Sequence, residues 1–180
     1  MSALPDELET VRAFVNTAEV GSGSDELATP FALVAWLSGH ALVEGGVEAS
    51  EQDLERSRAL REALRAFLYA NAGGELDPKA PVVLDATAEL AGLRLHFDAG
   101  GGASLMPSAE GVDGAHGRLL AIVAESMRAG TWERLKACRS DGCRWAFYDA
   151  SKNHSRAWCS MAICGNRAKA RSFRERHAGA

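Results

Sequence analysis

Four cysteines carry most of the chemistry legible in this sequence. They stand as Cys138-x4-Cys143 and Cys159-x4-Cys164, fifteen residues apart, and the 180-residue chain has no other cysteine. Two short loops that each offer two sulfurs have the spacing of a tetrahedral four-thiolate zinc site. An iron–sulfur cluster uses the same ligand set, and two disulfides would need an oxidising compartment. One structural zinc is the preferred reading, because structural sites favour four thiolates in a tetrahedron. Such a site leaves the ion no open position, so hydrolysis at the metal is not expected. No Ser/His/Asp or paired-carboxylate arrangement is legible. His96 and His116 are isolated, and Asp98-Ala-Gly-Gly-Gly102 lacks the lysine and following helix of a phosphate loop. The chain reads as a non-enzyme.

The elements that must position the sulfurs follow from the residues between and after them. Arg144–Asp149 alternates large and small residues and is rich in aromatics, as a short strand should be. Ala150–His154 is turn material, and Ser155–Cys159 is expected to return as the second strand. Gly165–Arg176 reads as a helix starting at or just before the last cysteine, where free amide N–H groups favour a thiolate. A knuckle, a hairpin and a helix whose first turn carries a ligand make a treble-clef-like finger. Trp145, Phe147, Tyr148 and Trp158 are read as its miniature core, with base stacking as the rival. Asp149 is expected to cap the turn or to pair with Arg156 or Arg167.

The motif Cys164-Gly165-Asn166-Arg167 resembles the one that names the CGNR zinc fingers. Trp145–Asp149, Trp158-Cys159-Ser160-Met161 and Arg167-Ala168-Lys169 are similar to that family too, so the resemblance spans about 134–177. One departure is that Arg156-Ala157 stands where the family usually carries two arginines, which removes one cation. Upstream, Phe14–Thr17, Trp36-Leu37 and Leu60–Leu64 resemble the ABATE domain that commonly precedes this finger. The resemblance implies a bacterial transcriptional regulator.

Charge is divided along the chain. Residues 131–180 hold eleven Lys/Arg against four Asp/Glu, a net of +7; residues 1–130 hold nine against twenty, a net of −11, and the whole is −4. A basic module joined to an acidic one suits an anionic partner for the basic part. Arg167, Arg171 and Arg174 recur at i, i+4 and i+7, hence on one helix face, with Lys169 flanking it and Arg156 on the preceding segment. These five are the candidate DNA contacts. The plainer alternatives are a solvated face, a helix docked on the acidic half, or one docked on an acidic protein partner. The N-terminus has no basic start or apolar run typical of export, and no stretch suits a membrane span. A cytoplasmic protein with reduced thiols is expected.

The upstream part is expected to be a mostly helical α+β domain over 1–130, ahead of a finger over 131–180. It should fold without the finger, sensing an effector or forming a homodimer. Apolar spacing predicts a helix from about Pro5 to Glu19. Thr29-Pro30 opens a second to Val43, and Ser50–Asp53 resembles a capping box that starts a third, ending near Asn71. Pro78 and Pro81 precede a shorter helix over 82–90. Residues 93–97 and 103–106 read as a hairpin, Gly111–Gly117 as a loop, and Leu119–Arg128 with its approaches as a helix. Thr131–Ala137 is expected to link to the finger as a strand that pairs with it. Asn16, polar within an apolar stripe, could join Trp36, His40 and Arg61 around a small-molecule effector. The preferred reading of Asn16 and Arg61 is a satisfied buried amide and a surface arginine.

Overall fold

Ser50 and Asp53 show how local chemistry sets the architecture. In the computed structural model, which describes residues 4–177, Ser50 Oγ accepts from the Asp53 amide at 3.1 Å. The Asp53 carboxylate accepts from the Ser50 amide at 2.8 Å. This reciprocal cap opens the longest helix, α3 (Glu51–Asn71). Before it lie α1 (Asp6–Asn16), the short hairpin β1 (Ala18–Glu19) and β2 (Ser24–Asp25), and α2 (Pro30–Gly39). Thr29 Oγ1 caps α2 by accepting from the Ala32 amide at 3.1 Å, with Pro30 preset at its first position. After α3 come α4 (Lys79–Leu90), the antiparallel hairpin β3 (Arg94–Phe97) and β4 (Ala103–Met106), and α5 (Gly111–Arg128). The finger contributes β5 (Leu135–Ala137), β6 (Ala146–Tyr148) and α6 (Asn166–His177). The chain is α+β, mostly helical, with small antiparallel hairpins.

The core forms where the apolar stripes of α1, α3 and α5 meet. Leu8, Val11, Phe14 and Val15 pack with Leu54, Leu60, Leu64, Leu68, Leu119 and Val123, all buried. Trimming one such leucine to alanine costs about 2–5 kcal/mol, so this layer dominates the stability of the helical part.

α1 stops at Asn16 rather than near Glu19 and α2 at Gly39 rather than Val43, and two further boundaries differ from expectation. Gly111–Gly117 is not a loop but the first two turns of α5. A Cβ at Gly117 would lie 2.6 Å from Pro107 Cβ and 2.8 Å from Ala91 Cβ, and one at Gly114 2.4 Å from the Ala109 carbonyl oxygen. These glycines let the helix approach its neighbours closely. The second boundary is that of α4, which begins at Lys79, so Pro81 lies inside its first turn, where a missing N–H costs little.

Packing does not stop at residue 130. Leu135, Ala137 and Ala146 belong to the same core cluster as the helices. Asn71 Nδ2 donates to the carbonyls of Trp132 and Leu135 at 3.0 and 2.9 Å. The expected division at 130/131 is a change in sequence character rather than a gap between two cores. Thr131–Ala137 supplies a strand as expected, and its partner is β6, through Leu135↔Tyr148, Lys136↔Phe147 and Ala137↔Ala146.

Candidate metal centre

The β5–β6 ladder delivers the first sulfur. The Cys138 amide donates to the Trp145 carbonyl at 3.0 Å, so the ladder runs one step past β5 and sets Cys138 at its end. A tight turn follows, with the amides of Cys143 and Arg144 donating to the Ser140 carbonyl at 2.8 and 3.1 Å. Arg144 closes it in the left-handed region at φ 53°. The second pair sits before α6. Ser160 Oγ accepts from the Ile163 amide at 3.3 Å, and the Cys164 amide donates to the Ser160 carbonyl at 2.9 Å. That π-type turn, Met161–Gly165, leads directly into α6 and holds Cys164 just before it.

The four Sγ atoms all lie within 4.8 Å of one another. Cys143 to Cys159 is 3.6 Å and Cys159 to Cys164 is 3.8 Å. A Zn–S bond of about 2.3 Å implies tetrahedron edges of about 3.8 Å, so the sulfurs fit one zinc ion. All four cysteines are free, with sulfurs well beyond the roughly 2.05 Å of a disulfide. An iron–sulfur cluster would have to spread its four thiolates around several metal atoms, whereas these converge on one point. Burial and the neighbouring Cys143 sulfur push the Cys159 thiol up, and burial and Cys138 push Cys164 up to about 11. Burial also opposes ionisation of Cys138, but amide N–H groups of Cys159 and Ser140 outweigh it and pull that thiol down. Sulfurs this crowded need a cation in order to ionise together. The site takes one structural zinc.

Behind the sulfurs sits a buried ion pair that spacing did not reveal. Lys136 Nζ donates to Asp149 Oδ2 at 2.9 Å, with 4% and 0% of the two side chains exposed. The ammonium also donates to the carbonyls of His154 and Arg156. Asp149 accepts from the Ser151 amide and hydroxyl and from the Arg156 amide at 3.1, 2.6 and 2.9 Å. Burial works against its charge, but Ser151, Lys136 and the Arg156 amide together hold the carboxyl well below the usual carboxylate range. Asp149 thus caps the turn as expected, while its ionic partner is Lys136 and neither arginine. This carboxylate explains why the expected returning strand is absent. Ser155–Cys159 is irregular, held by Asp149 and by the Arg139 amide donating to the Ala157 carbonyl at 3.0 Å.

The candidate DNA contacts separate into two groups. The Arg156 guanidinium braces the finger, 5.1 Å from the centre of the Phe147 ring and donating to the Cys159 carbonyl at 3.0 Å. Arg167, Lys169, Arg171 and Arg174 are exposed along α6. Of these, Arg171 alone has a carboxylate nearby among the described residues, Asp141 at 3.9 Å. Phe147 is buried and Trp145, Tyr148 and Trp158 are half-buried, with Tyr148 packed against the helical core. Phe173 is exposed and stacks on His177 at 4.1 Å between ring centres.

The four residues considered for an effector pocket do not converge on a cavity. The Asn16 amide is buried and spent on the finger, donating to the Ala146 carbonyl at 2.9 Å and accepting from the Ala146 amide at 2.7 Å. Arg61 is buried rather than on the surface, with Asp25 taking both of its terminal nitrogens at 2.7 and 2.9 Å. Trp36 stacks on His40 at 3.8 Å and lies 5.3 Å from Phe14, as a packed aromatic group. A real cleft, of about 480 Å³, opens beside the sulfurs instead. Cys143, Cys159, Trp145, Ile163 and Arg167 line it, together with the β1–β2 turn. That turn comes so near that a Cβ on Gly21 would sit 3.1 Å from the Gly142 carbonyl oxygen. Neither Lys136 nor this turn was singled out in the sequence. A lysine flanked by Leu135 and Ala137 in a short apolar strand was the available signal for Lys136.

Comparison with protein families gives two matches in chain order. Residues 9–129 match the ABATE model, whose description is "Putative stress-induced transcription regulator", and residues 134–177 match the CGNR zinc finger. No curated protein matches the chain.

Proposed function

Because this chain belongs to the ABATE family and ends in a CGNR zinc finger, we propose that it is a non-enzymatic regulator that binds DNA through α6. The observation that carries this reading is the state of that helix. Arg167, Lys169, Arg171 and Arg174 are presented to solvent, and the helix packs chiefly on the turn before it. It is not laid against the acidic helices upstream. Cations this exposed, of which Arg171 alone has a carboxylate nearby among the described residues, attract phosphates, and each phosphate neutralised releases counterion. Zinc would fix the first turn of α6 through Cys164 and so aim the helix. The four thiolates leave no coordination position for a reacting water.

Exposed Phe173, Met161 and Ile163 support a second reading, in which α6 docks on an acidic protein with an apolar groove. A mobility-shift series in salt, with random and genomic DNA, separates the two. If the arginines meet phosphates, Arg171→Ala/Arg174→Ala keeps the metal and lowers the slope of log affinity against log salt by about 0.9 per arginine lost. Unchanged DNA binding by that variant with its fold retained would end the DNA reading, and lost association with an acidic protein would establish the second.

A further inference from the structure

The hairpin β3–β4 is exposed at every residue of both strands. Two strands lying open to water are marginal alone, yet Leu95, Phe97 and Leu105 stand 56%, 70% and 37% exposed. Leu95 lies opposite Leu105 and Phe97 opposite Ala103, so alternation gathers all four on one face. That face overlooks α5, where Leu95, Ala103 and Leu105 share a groove of about 690 Å³ with Ala121 and Ile122. It is β4 that packs on α5, which leaves β3 as the outer strand.

The outer edge of β3 can be read from the ladder. The Asp98 amide donates to the Gly102 carbonyl at 3.0 Å. Hydrogen-bonded pairs alternate along an antiparallel ladder, so they fall at Asp98–Gly102, His96–Ser104 and Arg94–Met106. The N–H and C=O groups of Leu95 and Phe97 therefore point away from β4, to an edge with no proline to interrupt it.

We propose that a second copy of this chain covers this edge, the two β3 strands pairing antiparallel about a two-fold axis at His96 to form a four-stranded sheet. The register is chosen by charge. With His96 opposite itself, Leu95 meets the second copy's Phe97 in outward hydrogen-bonded pairs, and Arg94 meets the second copy's Asp98. Arg94 has no ion-pair partner among the described residues. Asp98 spends Oδ1 on the amides of Gly100 and Gly102, which leaves Oδ2 for a cation. Shifting the pairing by two residues either way sets Arg94 or Asp98 against His96 and loses both ion pairs. The contact is isologous, so it closes at two copies instead of growing into a fibre.

Sedimentation of the zinc-loaded full chain over a concentration series, without DNA, tests this apart from any role of α6. A monomer–dimer equilibrium is expected. Phe97→Lys should weaken it about 100-fold or more, because the apolar contact is lost twice in each dimer. His96→Cys gives a second measurement that does not depend on destabilising the fold. A non-hydrogen-bonded pair sets its Cα atoms about 4.5 Å apart, inside the disulfide range. Oxidised glutathione should therefore cross-link that variant to a dimer. Ser104→Cys, one strand further from the axis on each side, would lie about 14 Å from its mate and should not cross-link. A wild-type chain that stays monomeric at all concentrations overturns the proposal. So does a dimer that survives Phe97→Lys and fails to cross-link through His96→Cys.

Discussion

The helical part and the finger hold their shape by different means. In the first, three apolar stripes from α1, α3 and α5 meet in a dry layer of leucine, valine and phenylalanine. In the second, apolar burial is sparse, and four sulfurs and a lysine–aspartate pair stand where a core would be. Apolar burial is spread over many side chains, so the loss of one removes only its own share. Ligation and buried charge are concentrated in a few atoms, so removal of one partner exposes the whole penalty of the other. The finger should therefore be the more brittle of the two, and more open to control by metal supply.

Removing the metal is the strongest way to test this contrast. Structural zinc in small fingers contributes about 10–16 kcal/mol of apparent binding free energy at pH 7. Cys164→Ser, or chelation of the wild type, should abolish zinc binding in native mass spectrometry and expose the amides of β6 and α6 to hydrogen exchange. The amides of α3 should stay protected. Equal loss of protection in α3 would mean that the two parts melt as one unit and would break the comparison.

A smaller effect is expected from the buried pair. Asp149→Ala strands the Lys136 ammonium among carbonyls and frees three donors, which should cost about 3–5 kcal/mol in urea unfolding with zinc bound. Lys136→Met should cost less than Asp149→Ala, since the carboxylate would retain its bonds from Ser151 and Arg156. The reverse order would assign the turn to Lys136 instead.

The helical part has one concentrated charge effect of its own. His116 is buried on α5, with Nε2 2.8 Å from Ser57 Oγ. Burial, aided by Arg56, lowers its pKa from 6.5 to about 4. The unfolded chain therefore takes up this proton before the folded one. The stability from a neutral His116 is present above pH 6.5 and drains as pH falls toward 4, by up to about 3 kcal/mol. His116→Gln should flatten that stretch of the stability–pH curve, as followed by circular dichroism of the helices. An unchanged slope would show that His116 takes up its proton at the same pH in the folded and unfolded chain.

What the sequence disclosed was local. The cysteine spacing and the Ser50/Asp53 cap act within a few residues, so type and position were enough to read them. The finger's returning strand was misread, because 155–159 is held irregular by Asp149 while β6 pairs with β5 from upstream. The aromatic run 144–149 specifies a strand but not which neighbour it pairs with. Gly111, Gly114 and Gly117 looked like breakers because the atoms that demand a small residue, Ala91 and Pro107 at Gly117 and Ala109 at Gly114, lie outside the helix. Asn16 and Arg61 were legible as polar residues near an apolar stripe. Their partners, Ala146 and Asp25, follow only from the fold.

The Asn16–Ala146 contact also bears on how the chain is made. Synthesis delivers α1 well before β6, with a carboxamide that is buried in the finished protein and bonded to Ala146, 130 residues later. Until β6 emerges, that carboxamide has only water to bond, and burying it without a partner would cost about 1–3 kcal/mol. A chain stopped short of its finger therefore leaves α1 with an unmade pair of hydrogen bonds at Asn16.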